Sequence, residues 1–314
     1  MREISVVANS AGKRVDKYLI KLLGNNINRS DIYKYIRTKH IKINNKRTLV
    51  DYRLQLNDKI QFYNIDYELL KFQSPPQSTV TIKHPKVNAV YEDDNIIVID
   101  KPVGMIVHSD INEKINTLID HIKAYLVQKE DKFEDCHDGF VPALCNRIDR
   151  NTSGLVIAAK NNEALLAVNR IIKNHELTKK YRCLVFGVPK NSSGRISNYL
   201  LKDSKYNTVE VVNKMTDGAR KAVTLYKVIE IRNGMSLLEV EIITGRTHQI
   251  RAHMQYIGHP IVGDSKYGSK KINKKNGYKY QALHSYQIRF HGKLSEPSLK
   301  YLSGQVITSK LSRF

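Results

Sequence analysis

The chain's 314 residues allow two domains or one large one, and 41% apolar residues suffice for a packed core. A net charge of +22 indicates attraction to polyanions, nucleic acid above all, although a generally lysine-rich composition would give the same balance. Three widely spaced cysteines fit neither a disulfide framework nor a C-x-x-C metal site, and no apolar run is long enough for a secretory signal or a membrane span. The expected location is therefore the reducing cytoplasm, away from membranes.

Residues 14–63 are predicted to form a small basic unit of two helices and at least two short strands. Val15 and Leu19, and later Ile32 and Ile36, recur at helical spacing, whereas "HIKIN" and "KIQFY" alternate as strands do. Residues 1–71 carry 15 basic and 7 acidic side chains. The basic residues clustered around the second helix are expected to contact phosphate groups: Arg29, Lys34, Arg37, Lys39 and Lys42.

This unit resembles the S-four RNA-binding fold, named after a protein of the small ribosomal particle, over "RVDKYLIKLLGNNINRSDIYKYIRTKHIKINNK" and the later "LNDKIQFY". The residues that match the pattern of that fold are Arg14, Asp16, Lys17, Arg29, Ser30, Asn45 and Lys46. The resemblance implies an RNA-binding domain over residues 1–71. The residues taken alone also allow a basic helical domain of no special kind.

Residues 72–87 are predicted to be a linker, because "FQSPPQSTVTIKHP" mixes three prolines with serines and threonines and has no period. A second domain is expected over residues 88–314. There, "AVYEDDNIIVIDKP" predicts two strands around an acidic turn, and "NTLIDHIKAYLVQKE" predicts an amphipathic helix capped by Asn116. Later runs are β-branched and aromatic and do not alternate regularly with helices. The predicted fold class is therefore α+β, with a mixed, largely antiparallel sheet and flanking helices and loops.

Asp149 lies in "LCNRIDRNTSGL", at the point where a loop enters the apolar run "LVIAA". Such a position presents the side chain to a cleft, although an aspartate that caps its own loop would look the same. The positive charges of Arg147 and Arg150 stabilise the ionised carboxylate, which opposes a role as a general acid. Nucleophile, base and stabiliser of a developing cation remain, while the two arginines and the lack of a nearby second acid disfavour a metal ligand.

The region from about residue 88 to 290 resembles the pseudouridine synthases of types A, C and D that act on large-subunit ribosomal RNA. The matching stretches are "IDKPVGMIVH", "NRIDRNTSGLVIAAK", "KKYRCLVFG" and "TGRTHQIRAHMQYIGHPIVGDSKYG". An S-four-like domain in front makes the arrangement similar to the C and D branch. The resemblance implies an isomerase that detaches the base of a target uridine, rotates it and rejoins it through its fifth carbon.

The resemblance also implies roles for individual residues. Asp149 matches the aspartate that attacks the ribosyl unit, and Arg251 matches the basic residue that pairs with it. Tyr181 matches a tyrosine that packs on the base and takes a proton, although sheet packing alone would also explain it. Arg147 matches the arginine that fills the gap left by the flipped nucleotide, and Leu283 the apolar residue that closes the pocket. The further residues expected to contact RNA are Arg150, Arg14, Lys17, Arg29, Lys34, Arg37, Lys39 and Lys46.

The chain departs from the family pattern at two positions, since Asn146 and Ile148 stand where histidine and leucine are usual. An amide cannot carry a proton near neutrality, so Asn146 is expected to hold the loop rather than act as an acid or base. His248 and His253 are expected to orient the loop around Arg251 rather than bind metal.

The expected partner is large-subunit ribosomal RNA, or its assembly intermediates, and the expected form is a monomer. No cofactor or metal is expected, because the isomerisation involves no redox step and the sequence lacks Gly-x-Gly-x-x-Gly, Walker and His-Glu-x-x-His motifs. The alternatives are a non-catalytic RNA-binding or ribosome-assembly factor and a synthase acting on transfer RNA. A third alternative, an S-four-bearing RNA methyltransferase, would need a glycine-rich nucleotide loop after a strand, and the sequence contains none. The lysine-rich segment 269–279 is expected to be a solvated loop or, alternatively, an RNA contact.

Overall fold

The computed structural model describes residues 2–6, 10–23, 27–65, 82–107, 116–129, 141–203, 205–269, 273 and 277–310. Residues 72–81 of the predicted linker, most of the lysine-rich segment and Cys136 lie outside these ranges. Across the described ranges, no helix has the length and apolar character needed to cross a membrane.

The N-terminal residues form a four-stranded antiparallel sheet covered by two helices. The strands, in the order β1-β4-β2-β3, are β1 (Arg2–Ser5), β2 (Ile41–Ile43), β3 (Lys46–Arg47) and β4 (Lys59–Phe62). The helices are α1 (Val15–Leu23) and α2 (Arg29–Arg37). The residues predicted at helical spacing are buried against this sheet. Asp16 is fully buried and accepts bonds from Arg14 and from the Tyr33 hydroxyl (2.8 Å), which ties α1 to α2.

The other described strands belong to one eleven-stranded sheet, in the order β11-β10-β12-β13-β9-β14-β8-β6-β5, with β15 on β14 and β7 on β8. Its strands are β5 (Ala89–Glu92), β6 (Ile96–Lys101), β7 (Ala143–Leu144), β8 (Ser153–Ala159), β9 (Leu177–Phe186), β10 (Ser193–Asp203), β11 (Thr208–Val212), β12 (Arg220–Arg232), β13 (Met235–Ile242), β14 (Leu283–Phe290) and β15 (Val306–Thr308). Only β14 and β8 pair in parallel within the described part. The predicted mixed, largely antiparallel α+β fold is therefore confirmed for this region.

Helices cover both faces of the large sheet. Helices α3 (Leu118–Lys129) and α5 (Gln249–Tyr256) pack on one face. Helix α4 (Asn162–Lys173) and a 3-10 helix, Pro297–Leu302, pack on the other. Strand β6, which lies between β8 and the edge strand β5, is buried on both sides because its alternate side chains enter the two cores. The loop that carries Asp149 enters this sheet at the start of β8.

The predicted cap of α3 is wrong by one residue. Asn116 adopts a left-handed conformation (φ 67°), outside the helix start. Thr117 caps instead: its hydroxyl accepts from the Asp120 amide (3.4 Å), and the Asp120 carboxylate accepts from the Thr117 amide (3.1 Å). This reciprocal pattern is a capping box, which Asn116 lies one position too early to form.

Gly154 permits the parallel crossing of β8 and β14. Its φ is +108°, and a Cβ atom there would lie 2.1 Å from the carbonyl oxygen of Ser285. Any side chain would therefore push the two strands apart. Because the pairing lies directly after the loop that carries Asp149, this close approach also fixes the base of that loop.

Candidate active site

The Asp149 loop joins β7 to β8 and is anchored at several points. Asn146 accepts the Ile157 amide through Oδ1 (2.7 Å), which agrees with the loop-holding role predicted for it. The fully buried Lys101 donates to the carbonyl of Arg150 (3.0 Å) and to those of Pro102 and Met105 (both 2.8 Å). These bonds hold the loop against the start of the segment after β6, so the position of Asp149 is set by the fold.

Arg251 connects Asp149 to a second carboxylate. Its Nη1 donates to Asp149 Oδ2 (2.8 Å), while Nε and Nη2 donate to the two oxygens of Asp264 (2.7 and 3.0 Å). Arg251 is 4% exposed and Asp264 is fully buried. The bidentate pair fixes the plane of the guanidinium group, so its Nη1 amino group is held toward Asp149. The family resemblance implies a pairing of Arg251 with Asp149, and the structure contains a hydrogen bond between these two side chains.

Helix α5 carries Arg251, and the turn before it is held by Gln249. The Gln249 amide nitrogen donates to the Val223 carbonyl and to the Thr224 hydroxyl (both 2.9 Å). Its oxygen accepts from the Thr244 hydroxyl (2.8 Å) and the Arg246 amide (3.0 Å). The segment "TGRTHQIR" is therefore pinned to β12, which leaves the first turn of α5 little freedom to move.

His248 lies beside Asp149 as a neutral ring. It precedes α5 in a left-handed conformation (φ 52°), and its Nε2 lies 3.8 Å from Asp149 Oδ2. Burial lowers the pKa of His248 to about 4, although the negative charge of Asp149 opposes that shift. The Tyr267 hydroxyl accepts a hydrogen bond from the Val209 amide (2.7 Å). Its own proton is therefore free to form a hydrogen bond to His248 Nδ1 (3.0 Å). This arrangement leaves the Nε2 proton facing the carboxylate.

His253 does not face Asp149. Its Nδ1 lies 2.8 Å from the Thr224 hydroxyl, and burial lowers its pKa to about 4. The two histidines therefore have different surroundings: His248 lies beside Asp149, whereas His253 ties α5 to β12. Among the described residues, no group of three His, Cys, Asp or Glu side chains is placed to hold a metal ion.

Tyr181 lies on β9 with its side chain toward Asp149. It is 5% exposed, and burial raises its pKa to about 12, with the charge of Asp149 adding to the shift and a hydrogen bond with Ser285 opposing it. The resting side chain is therefore a neutral phenol. A neutral phenol can take up a further proton from a bound ligand only if its own proton moves to another acceptor.

A cavity of about 720 Å³ opens above these side chains. Asp149, Tyr181, Arg251 and Leu283 line it together, although they come from four separate parts of the chain. Among its described lining residues Asp149 is the one acid, against six cations: Arg147, Lys173, Lys179, Lys202, Arg246 and Arg251. A cavity with that charge balance suits a polyanionic ligand.

The remaining predicted site residues fall into two groups. Arg147 is exposed and lines the cavity, whereas Arg150 donates to the Gly104 carbonyl (3.0 Å) and does not line it. Arg14 is bonded to Asp16. The other basic residues predicted to contact RNA are exposed on the N-terminal unit and do not line the cavity: Lys17, Arg29, Lys34, Arg37, Lys39 and Lys46.

Sequence reasoning missed Asp264, Gln249, Tyr267 and Lys101. All four lie inside stretches quoted for the family resemblance, so that match was the available signal. Their roles depend on hydrogen bonds between segments far apart in sequence, and spacing along one segment does not reveal those bonds.

Known proteins resemble the chain over the same region. The family model described as RNA pseudouridylate synthase matches residues 95–256. An uncharacterised RNA pseudouridine synthase of Mycoplasma genitalium is 36% identical over 91% of this chain and 88% of the relative. A ribosomal large subunit pseudouridine synthase C of Vibrio vulnificus is 31% identical over 91% of this chain and 87% of the relative. The structure of human RNA pseudouridylate synthase domain containing 4 superposes with a TM-score of 0.56 and 25% identity, covering 72% of this chain and 89% of that chain.

Proposed function

The chain belongs to the RNA pseudouridine synthases, which are isomerases, and from that premise we propose that it modifies uridines of large-subunit ribosomal RNA with Asp149 as its nucleophile. The observation that supports this role is the bond from Arg251 to Asp149 Oδ2, in a cavity whose other charged lining residues are all cations. That bond stabilises the ionised carboxylate and leaves Oδ1 available to react.

This geometry supports the following proposed reaction. Oδ1 attacks C1′ of the target ribose, and the electron pair of the C1′–N1 bond leaves with the base. The base turns, its C5 bonds to C1′, and the C1′–O bond returns its electron pair to Asp149. One proton leaves C5 and one is gained at N1, so the reaction is a net isomerisation. No external oxidant, reductant or group donor is needed, which supports a cofactor-independent enzyme.

A uridine in structured RNA must leave its stack to reach Asp149, at a cost of a few kcal/mol. Arg147 is exposed on the same loop, two residues from Asp149, where a guanidinium group can occupy the vacated position. Tyr181 and Leu283 offer the expelled base an aromatic face and an apolar contact inside the cavity. Filling the gap and enclosing the base both offset the cost of flipping.

The target RNA is proposed from the relatives. Several relatives at 29–34% identity bear the name ribosomal large subunit pseudouridine synthase C. The test incubates the purified protein with large-subunit ribosomal RNA and, separately, with bulk transfer RNA, and maps pseudouridine by carbodiimide-dependent primer-extension stops. New stops in ribosomal RNA alone are expected. Stops confined to transfer RNA would overturn the proposed substrate, and stops in neither would count against the proposed activity.

We also propose that residues 1–71 form an S-four-like RNA-binding domain, joined through residues 72–87 to a catalytic domain over 88–314, in a monomer. The support is the pair of separate sheets, each with its own hydrophobic core, and the exposed cations of the first unit. Asp16 and its partners brace the two helices, which carry Lys17, Arg29, Lys34 and Arg37.

Removing cations from the first unit is expected to flatten the salt dependence of RNA binding. Each phosphate contact contributes about 0.7–0.9 to the slope of log affinity against log salt, so the triple change Lys34→Gln, Arg37→Gln, Lys39→Gln should lower the slope by about two. Filter binding across a salt series measures this. A matched triple change at the exposed lysines Lys227, Lys293 and Lys300 should leave the slope unchanged. Equal slopes for both triple variants would contradict a phosphate-binding role for α2.

A further inference from the structure

Lys179 lies on the same face of β9 as Tyr181. Alternate residues of a strand point to the same side, and Leu177, Lys179 and Tyr181 all line the Asp149 cavity, whereas Thr178 and Lys180 do not. Lys180 instead forms an ion pair with Glu239 (2.8 Å) on the opposite face. The Lys179 ammonium group therefore belongs to the cavity.

The Lys179 ammonium group is partly buried and has no anionic partner among the described residues. Burial lowers the pKa of Lys179, yet within the described part of the chain no hydrogen bond or ion pair reaches its Nζ. The backbone of Gly245 lies nearby, since a Cβ atom added there would be 4.0 Å from Nζ. A partly buried cation without a counter-ion is costly to maintain, so a negative ligand that enters the cavity would gain by contacting it.

The proposed reaction creates such a ligand. When the C1′–N1 bond breaks, its electron pair leaves with the uracil ring, whose two carbonyl oxygens share the negative charge. We propose that Lys179 contacts the detached uracil anion and stabilises it while the ring turns, an inference that rests on the proposed isomerisation. The cation would thereby favour bond cleavage and also retain the free base in the cavity.

A backbone phosphate is the competing anion, but other cations are better placed for it. Lys173, Lys202 and Arg246 line the same cavity and are exposed, which suits a phosphate that remains in solvent. Lys179 is less exposed than these three and shares a strand face with Tyr181, where the base is proposed to stack. Its position therefore favours the base over the backbone.

The test compares Lys179→Met, which removes the charge, with Lys179→Arg, which retains it. Under single turnover at saturating enzyme, Lys179→Met is expected to slow pseudouridine formation by about 10²-fold, while Lys179→Arg keeps most of the rate. Dissociation constants for the RNA and their salt dependence should stay close to wild type for both variants. Lys180→Met, a change at the next residue on the opposite face, is the matched control and should react at the wild-type rate.

A change of leaving group separates contact with the base from a structural role. Fluorine withdraws electrons, so a target 5-fluorouridine leaves as a more stable anion. Once its C5 rejoins C1′ there is no C5 proton to lose, and water instead adds across the C6=N1 bond, with its hydroxyl on C6 and its proton on N1. Loss of 5-fluorouridine therefore reports base detachment and reattachment. With that substrate the defect of Lys179→Met should shrink by about tenfold, because less charge remains to be stabilised.

Equal defects on both substrates, or a wild-type rate with uridine, would overturn the inference. If Lys179→Met binds RNA more weakly, with a lower salt slope and an unchanged rate, the inference is also overturned and Lys179 contacts a phosphate instead. A wild-type protein that makes no pseudouridine would instead reject the proposed function.

Discussion

Replacing Asp149 with asparagine is expected to reduce pseudouridine formation by at least about a thousandfold while the protein stays folded and binds RNA. The amide has nearly the same shape as the carboxylate, and its oxygen can still accept the hydrogen bond from Arg251. It lacks the charge and nucleophilicity needed to attack C1′. Single-turnover assays on ribosomal RNA, with carbodiimide-dependent stops as the readout, measure the loss.

The matched control for this variant is Asp94→Asn, in the exposed turn between β5 and β6. It removes one negative charge outside the cavity lining and should react like wild type. Thermal unfolding and RNA titration of both variants show whether any loss of activity reflects chemistry alone. Retained activity in Asp149→Asn would reject Asp149 as the nucleophile, whatever the fate of the control.

Replacing Arg251 with methionine is expected to lower both stability and activity. The change leaves Asp264 fully buried without its counter-ion, which typically costs about 3–5 kcal/mol in the free energy of unfolding. It also removes the only donor within hydrogen-bonding distance of the Asp149 carboxylate oxygens in the described structure. Denaturant unfolding and the single-turnover rate measure the two effects on the same protein.

A second substitution separates these effects. The double variant Arg251→Met, Asp264→Asn no longer buries an uncompensated charge, and the asparagine oxygen can still accept the amides of Lys266 and Tyr267 (2.9 and 3.0 Å in the native structure). We expect it to regain much of the lost stability but none of the lost activity, because Asp149 remains unpaired. Recovery of activity along with stability would show that Arg251 supports the fold alone.

The sequence predicts features that depend on neighbouring residues, but not those that depend on contacts between segments far apart in the chain. Alternation and helical spacing are local, so the α+β class and the two N-terminal helices were predicted from the residues themselves. The loop position of Asp149 was also visible, because an apolar run starts directly after it. The cap of α3 was missed by one residue because Asn116 and Thr117 are both good caps and only the bond to Asp120 distinguishes them.

The electrostatic setting of Asp149 illustrates the limit. Sequence neighbours suggested that Arg147 and Arg150 stabilise its charge, yet Arg150 bonds to Gly104 and the direct partner is Arg251, about a hundred residues away in the chain. Asp264 fixes that partner and was not predicted, since nothing in its local sequence reveals a buried ion pair. The sequence also offered no reason to single out Lys179 from the other lysines of its motif. Only the structure shows that Lys179 and Tyr181 share a face of β9 and line the same cavity.

The parallel pairing of β14 with β8 bears on when activity arises during synthesis of the protein. The N-terminal sheet is complete once Phe62 has been made, and domains generally fold in the order in which they emerge. The Asp149 loop, however, needs β14, which supplies Leu283 and the strand that crosses Gly154. A nascent chain would therefore fold its basic N-terminal unit long before its reactive centre exists, and a message cut short before β14 would encode an inert product.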